Sequence, residues 1–196
     1  MTEAAHDAYR VMRSRPVLVD GPLLVRAVQA EDIEPIRCWR NAQIDVLRQS
    51  RPITPEEQVA YFERVIWPDK ASDQPSNILL ALLENGRLIG YGGLVHLAWD
   101  YARAEVSFLL SPDIAQSREP DLFAAWLRLM QRLAFEDLGL TRLTTETYAM
   151  RTTHIRLLEE AGFRREGVLR EHVRVDGRPM DALVHGCLAS DMAPAG

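Results

Sequence analysis

Cysteine is scarce in this chain: its 196 residues contain two, Cys38 and Cys187. Neither stands in a Cys/His spacing that would hold zinc, and two isolated thiols make no disulfide framework, so a reducing, cytoplasmic setting is expected. Long apolar runs are missing too. Nothing approaches the roughly 20 residues that a membrane helix needs, and the first stretch, MTEAAHDAYRVMRSR, has no signal-peptide core. Positive charge is not in excess. Lys and Arg total 23 against 28 Asp and Glu, a net charge of −5, which gives no footing for general nucleic-acid binding. Glycine is absent from one place where it is often found: SPDIAQSREPDLF, which joins the apolar run EVSFLL to an obvious helix.

The length fits one domain with a proper core. Residues 1–20 show little periodicity and are expected to form an irregular arm before a single domain over 21–190, with a tail at 191–196. PLLVRAV (22–28) has a strand pattern. QAEDIEPIRCWRNA reads as a helix that starts near Glu31 or Asp32 and sets Ile33, Ile36 and Trp39 on one face. ITPEEQVAYFERVIW (53–67) is a second helix, with Thr54 as N-cap, Pro55 at the first helical position and Glu57 three residues on. WPDKASDQPS reads as a loop. NILLALLENGRLIGYGGLVHLAWDYARAEVSFLL then reads as three strands, turning at Asn85-Gly86 and in WDYA. DLFAAWLRLMQRLAFEDLGL is a long amphipathic helix closing at Gly139. RLTTETY is a strand, TTHIRLLEEAGF a helix ending at Gly162, and the rest a hairpin around Asp176-Gly177. This order, with interleaved helices and antiparallel hairpins, predicts an α+β sheet wrapped by helices. GYGG (90–93) resembles a dinucleotide fingerprint, but no helix follows it, so it fails its context.

The order and its local words resemble the GCN5-related N-acetyltransferase superfamily. NGRLIGYGGL resembles the family's second-to-third strand hairpin and AEVSFLLSP its fourth strand. LAFEDLGLTRLTTETY resembles the third helix running into strand five. HIRLLEEAGFRREGVLREHVRVDGRPMDALVHGCL resembles the last helix and terminal hairpin. The resemblance spans about residues 22–189. It implies a mixed, mostly antiparallel seven-stranded sheet, splayed between strands four and five and flanked by about four helices. Two branches compete on substrate. GVLREH…DGRPMDALVHG resembles enzymes acetylating ribosomal-protein N-termini, while IRCWRNAQIDVLRQSRPITPEEQVAYF resembles those acetylating amino groups of nucleotide-linked sugars.

The implied activity is acetyl (or other acyl) transfer from acetyl-CoA, without a metal, to a primary amine of a small molecule or amino sugar. A protein N-terminus, or a catalytically degenerate fold that only binds, are the alternatives; the protein would be a monomer or homodimer. The resemblance implies cofactor contacts at the backbone of Phe108, Leu109, Leu110 and Ser111. At the strand–helix loop the family pattern is Arg or Gln, two residues, Gly, one residue, then Gly or Ala. Arg118 falls at or near its start, with Asp121 and Phe123 at the small-residue positions. Gln116, Ser117, Arg118 and Arg151 are the remaining cofactor candidates, and Glu119, Asp121 and Pro120 weaken the site. Glu105 is the candidate general base, or else a half-exposed strand glutamate. His96, across the 99–101 turn, is a second titratable candidate. Leu158 stands where the family's proton-donating tyrosine belongs, which leaves Tyr148 and His154 as substitutes or as structural residues. Trp39, Arg40 and Asn41 are the candidate acceptor contacts, with Arg48 and Arg51 beyond them.

Overall fold

The computed structural model describes residues 8–192. Its strands are β1 (Val17–Asp20), β2 (Leu23–Ala27), β3 (Ile78–Glu84), β4 (Arg87–Ala98), β5 (Arg103–Leu110), β6 (Arg142–Tyr148), β7 (Arg164–Val175) and β8 (Arg178–Leu188). They form one sheet in the order β1-β2-β3-β4-β5-β6-β8-β7, antiparallel throughout except for β5 beside β6. Its helices are α1 (Ile33–Ala42), α2 (Pro55–Tyr61), α3 (Trp67–Ala71), α4 (Glu119–Arg132) and α5 (Thr152–Glu160). A π turn at Phe62–Ile66 joins α2 to α3, so they read as one helix and the flanking helices number four.

Three expectations are corrected. The sheet has eight strands, not seven. The extra one, β1, lies in the supposed arm and turns into β2 through the two-residue loop Gly21-Pro22, where Gly21 takes φ +58° at the first central position. That arm is also packed: Tyr9 and Met12 are buried, and the Tyr9 hydroxyl accepts from Leu79 N–H at 2.8 Å. Residues 1–7 and 193–196, the remainder of the arm and most of the tail, lie outside the described residues. Finally, the supposed loop from Trp67 begins as helix α3, with Pro68 tolerated in its first turn.

Turn chemistry places the hairpins. Asn85 (φ 49°) and Gly86 (φ 80°) close β3 onto β4, and Asp176 (φ 50°) and Gly177 (φ 75°) close β7 onto β8. Both central residues take the positive φ that such two-residue turns need. Thr54 and Glu57 form the expected capping box at α2. The sheet is covered on both faces. One core packs α4 and α5, with Trp126, Met130, Leu133 and Leu158, against β-strand residues such as Val106 and Leu110. The other packs α1, α2 and the π turn, with Ile36, Phe62 and Ile66, against Leu79, Tyr91 and Leu109.

The feature that positions a site is the divergence of β5 and β6. They pair only from Arg103↔Arg142 to Glu105↔Thr144. Beyond that, β5 follows β4 and β6 follows β8, so the sheet opens into a V. Gly92 lets β4 come close at this point. A Cβ there would lie 2.9 Å from Phe108 Cα and deeper still against the Ser107 carbonyl.

Candidate active site

Strand alternation fixes what faces the V. Leu109 of β5 belongs to the α1–α2 core, so Ser107 and Glu105 point to that face; Val106 and Leu110 point to the other. On β6, Leu143 lies in the α4–α5 core, which sets Glu146 and Tyr148 on the α1–α2 face with Glu105. A narrow cleft of about 130 Å³ runs through the V, lined by Glu105, Ser107, Glu146 and Tyr148 and, toward α4 and α5, by Phe123, Arg151, His154 and Leu158.

Backbone parity divides the β5 candidates. Ser111 N–H is bound to the Ile89 carbonyl of β4 at 2.9 Å, so Ser111 and Leu109 spend their amides on the sheet. The intervening peptide groups face the other way. The Ala104 carbonyl accepts from Thr144 Oγ1 at 3.3 Å and the Leu110 carbonyl from Gln43 Nε2 at 2.9 Å. Phe108 thus turns its N–H toward the opening, where it suits the amide-rich arm of a coenzyme A ester. Its ring packs 5.3 Å from both Phe123 and Trp126.

Glu105 stands at the last paired position before the V opens, with its side chain 18% exposed and bonded to Arg48 Nη2. Arg48 comes from the loop after α1, and its Nη1 lies 3.9 Å from Glu146 Oε2. One guanidinium therefore serves two carboxylates across the opening. Glu146 was not singled out from the sequence. The signal was there, since it alternates with Tyr148 along RLTTETY, but a lone strand glutamate reads as surface. Tyr148 is buried, and burial first, then the Glu146 charge, raise its pKa, with Arg48 opposing. Its hydroxyl stays protonated at neutral pH, and the residue lines the cleft. Leu158 is fully buried in the core, so no donor stands at the family's tyrosine position.

The strand–helix loop reaches α4 through a short 3-10 turn, Gln116–Arg118. Its anion-binding capacity is reduced in several ways. Arg118 N–H is taken by the Ala115 carbonyl and Glu119 N–H by the Gln116 carbonyl, and Pro120 has none. Among the described residues, the N–H groups of Ala115, Gln116 and Ser117 have no acceptor. Arg118 itself turns to Glu84 on β3, at 2.6 and 3.0 Å, which lowers the Glu84 pKa and raises its own. Glu119 does not face the loop unneutralised: its Oε1 lies 3.2 Å from Arg151 Nη2 and 3.2 Å from His154 Nε2. Burial and then the Arg151 charge push the His154 pKa down to about 3. The imidazole is therefore neutral, and its Nε2 accepts from Arg151 at 2.5 Å rather than pairing with Glu119. The His154 ring stacks 4.5 Å from Phe123. Arg151 thus binds the α5 start to the α4 start, and burial lowers its own pKa.

On the α1–α2 face the cleft adjoins a larger chamber of about 720 Å³. Leu47 and Arg48 on one side, with Ser107 and Phe108 on the other, line both spaces. Of the acceptor candidates, Arg40 lines this chamber and donates to Tyr91 Oη (3.0 Å) and Gln49 Oε1 (3.1 Å). Trp39 packs against the second core. Asn41 clamps the loop before α2, donating to the Ile53 carbonyl at 2.9 Å and accepting its N–H at 2.8 Å. His96, at φ 53° in the irregular stretch of β4, lines the chamber and not the cleft that holds Glu105. Among the described residues no group of His, Cys, Asp and Glu is arranged to hold a metal ion, and no helix is long and apolar enough to cross a membrane.

Comparison with known proteins agrees with this geometry. A family model for the acetyltransferase (GNAT) domain matches residues 25–184. The N-acetyltransferase p20 of Bacillus licheniformis, itself described as uncharacterized, is 23% identical over 175 residues, covering 87% of this chain and 95% of its own. YoaA of Bacillus subtilis, another N-acetyltransferase so described, is 23% identical over 171 residues, with the same coverage. Among solved structures, the spermidine N-acetyltransferase of Vibrio cholerae in complex with CoA and spermine superposes with a TM-score of 0.75 at 19% identity, over 88% of this chain and 98% of its own. The chain belongs to the GNAT acetyltransferase family.

Proposed function

We propose that this GNAT acetyltransferase moves an acetyl group from acetyl-CoA directly to the amine of a small molecule, with both bound at once. The observation that carries this reading is the V between β5 and β6, which meets the acceptor-sized chamber at Ser107 and Phe108. The thioester supplies an activated acyl carbon. Open-side β5 amides, Phe108 N–H first, hold the arm and polarise the carbonyl. The amine enters from the chamber, on the face that carries Glu105. The N–C bond forms as the C–S bond breaks; Glu105 takes the amine proton, directly or through water, and Tyr148 returns one to the thiolate. A small amine is the class to which the Vibrio cholerae enzyme's spermidine belongs, and the chamber volume lies in the range of small-molecule sites.

Of the three departures that favour a degenerate, binding-only fold, the glycine-free loop, Arg151 and Leu158, the last two have a local structural role here. Arg151 neutralises Glu119, and Leu158 fills core space while Tyr148 offers a proton nearby. Calorimetry with acetyl-CoA, followed by thiol detection of released CoA over a panel of amines, tests the reading. Binding and amine-dependent release are expected; a folded protein that does not bind acetyl-CoA at millimolar concentration refutes it.

A further inference from the structure

The chamber's charge is lopsided. Four guanidinium groups line it, Arg40, Arg48, Arg51 and Arg64, against one carboxylate, Glu57. Two of the four are already answered: Arg51 by Glu57 at 2.6 Å, and Arg48 by Glu105. Arg40 and Arg64 have no carboxylate partner among the described residues. Arg40 uses Nε and Nη1 on neutral oxygens and keeps Nη2; Arg64 donates Nε to the Ala60 carbonyl at 3.2 Å and keeps both Nη groups. Asp69, whose charge reaches Tyr61, does not line the chamber and accepts from Ser76, Asn77 and the Asn77 side chain.

Neutral donors accompany the two cations. Gln58 is only 4% exposed, yet its amide makes no hydrogen bond to the described protein. Neither amide atom is sealed from solvent, so the group faces the chamber. The Tyr61 hydroxyl likewise has no partner there. Gln58, Tyr61 and Arg64 follow at three-residue intervals on one helical face, and the π turn that begins at Phe62 carries Arg64. An amide with no protein partner that opens onto the chamber is free to donate to a ligand there.

We infer that the chamber binds an acceptor carrying a carboxylate or phosphate as well as its amine. The anion lies between Arg40 and Arg64 with Tyr61 and Gln58 donating, and the amine points to Glu105. Guanidinium groups suit both oxyanions because their planar donors match two oxygens at once. This inference rests on the transferase reading for its amine, and it sets the substrate apart from a polyamine, whose far end is cationic.

Four acceptors of similar length test it, with CoA release as readout: 4-aminobutyrate, 3-aminopropyl phosphate, butylamine and 1,4-diaminobutane. One of the two anionic amines is expected to exceed butylamine at least about tenfold in kcat/KM, the worth of one charged hydrogen bond, and which one does so names the oxyanion. Arg64→Gln should shrink that ratio, and a general loss of activity cancels from a ratio. Equal use of butylamine, preference for diaminobutane, or a ratio untouched by Arg64→Gln would overturn the inference. Calorimetry of the same amines on the CoA-bound protein keeps the two readings apart. If no amine releases CoA but an anionic one binds at least about tenfold tighter than butylamine, the transferase reading fails and the anion site stands. If none binds selectively, the anion site fails.

Discussion

Acidification offers a sharp test, because His154 is locked in its neutral form at the floor of the cleft. Its side chain is 9% exposed and stacked on Phe123, with Arg151 donating to its Nε2. Folding thereby lowers its pKa from 6.5 to about 3. The folded state refuses a proton that the unfolded chain accepts below pH 6.5. The stability this contributes is present above that pH and is lost as pH falls toward 3. Between pH 7 and pH 5 the loss amounts to about 2 kcal/mol by proton linkage. For a chain of this size that is a fall in Tm of about 4–8 °C. Burial lowers the His185 pKa as well, so the whole protein has a further slope of the same sign. The comparison is therefore with His154→Gln, which keeps an acceptor for Arg151 and removes the titrating ring. Urea titrations at half-unit steps from pH 5 to 8 should show the variant losing about 2 kcal/mol less than the parent over the acidic range. Parallel curves for the two proteins would refute the neutral, guanidinium-bonded imidazole.

Glu105→Gln should lower kcat for CoA release on the order of a hundredfold, while calorimetry finds acetyl-CoA affinity little changed; unaltered turnover removes Glu105 as the base. Gly92→Ala drives a Cβ into the backbone of Ser107 and Phe108. It should cost about 2 kcal/mol, a Tm drop of about 4–8 °C by calorimetric scan, and weaken acetyl-CoA binding as β5 shifts; an unchanged Tm contradicts the close approach. Arg118→Ala breaks a solvent-screened surface pair with Glu84 and should leave the Tm nearly unchanged. Its KM for acetyl-CoA should also hold within about threefold; a rise on the order of tenfold would show that Arg118 leaves Glu84 for a phosphate.

The scaffold was legible where local chemistry decides it. Asn85-Gly86 and Asp176-Gly177 announced their hairpins, Thr54 and Glu57 announced a capped helix, and RLTTETY matched β6 residue for residue. β1 had its own turn signal in Gly21-Pro22, hidden because four residues are too few to show a period. The continuation of α2 past Trp67 was obscured by Pro68, which the first turn after a π turn accepts. Glu105 could be placed beside the opening because the resemblance sets a carboxylate at the start of this strand. The partners could not, since Arg48 to Glu105 spans 57 positions, Glu119 to Arg151 spans 32, and Arg118 to Glu84 spans 34. The glycine-free loop looked hostile to phosphate on account of Glu119, Asp121 and Pro120, yet the Glu119 charge is neutralised by Arg151, which caps another helix.

The Tyr9 hydroxyl bears on where this protein can be shortened. Family resemblance begins in the low twenties, at residue 25 in the matched domain, and a shortened version would naturally start there. Such a version leaves the Leu79 N–H without its acceptor and empties the space of two fully sheltered side chains, Tyr9 and Met12. Leu79 also lines the chamber of about 720 Å³, so the damage would reach its lining. The matched domain and the folding unit do not share an N-terminal edge: in this chain the unit extends at least to Tyr9, and what precedes the matched domain serves as its buttress.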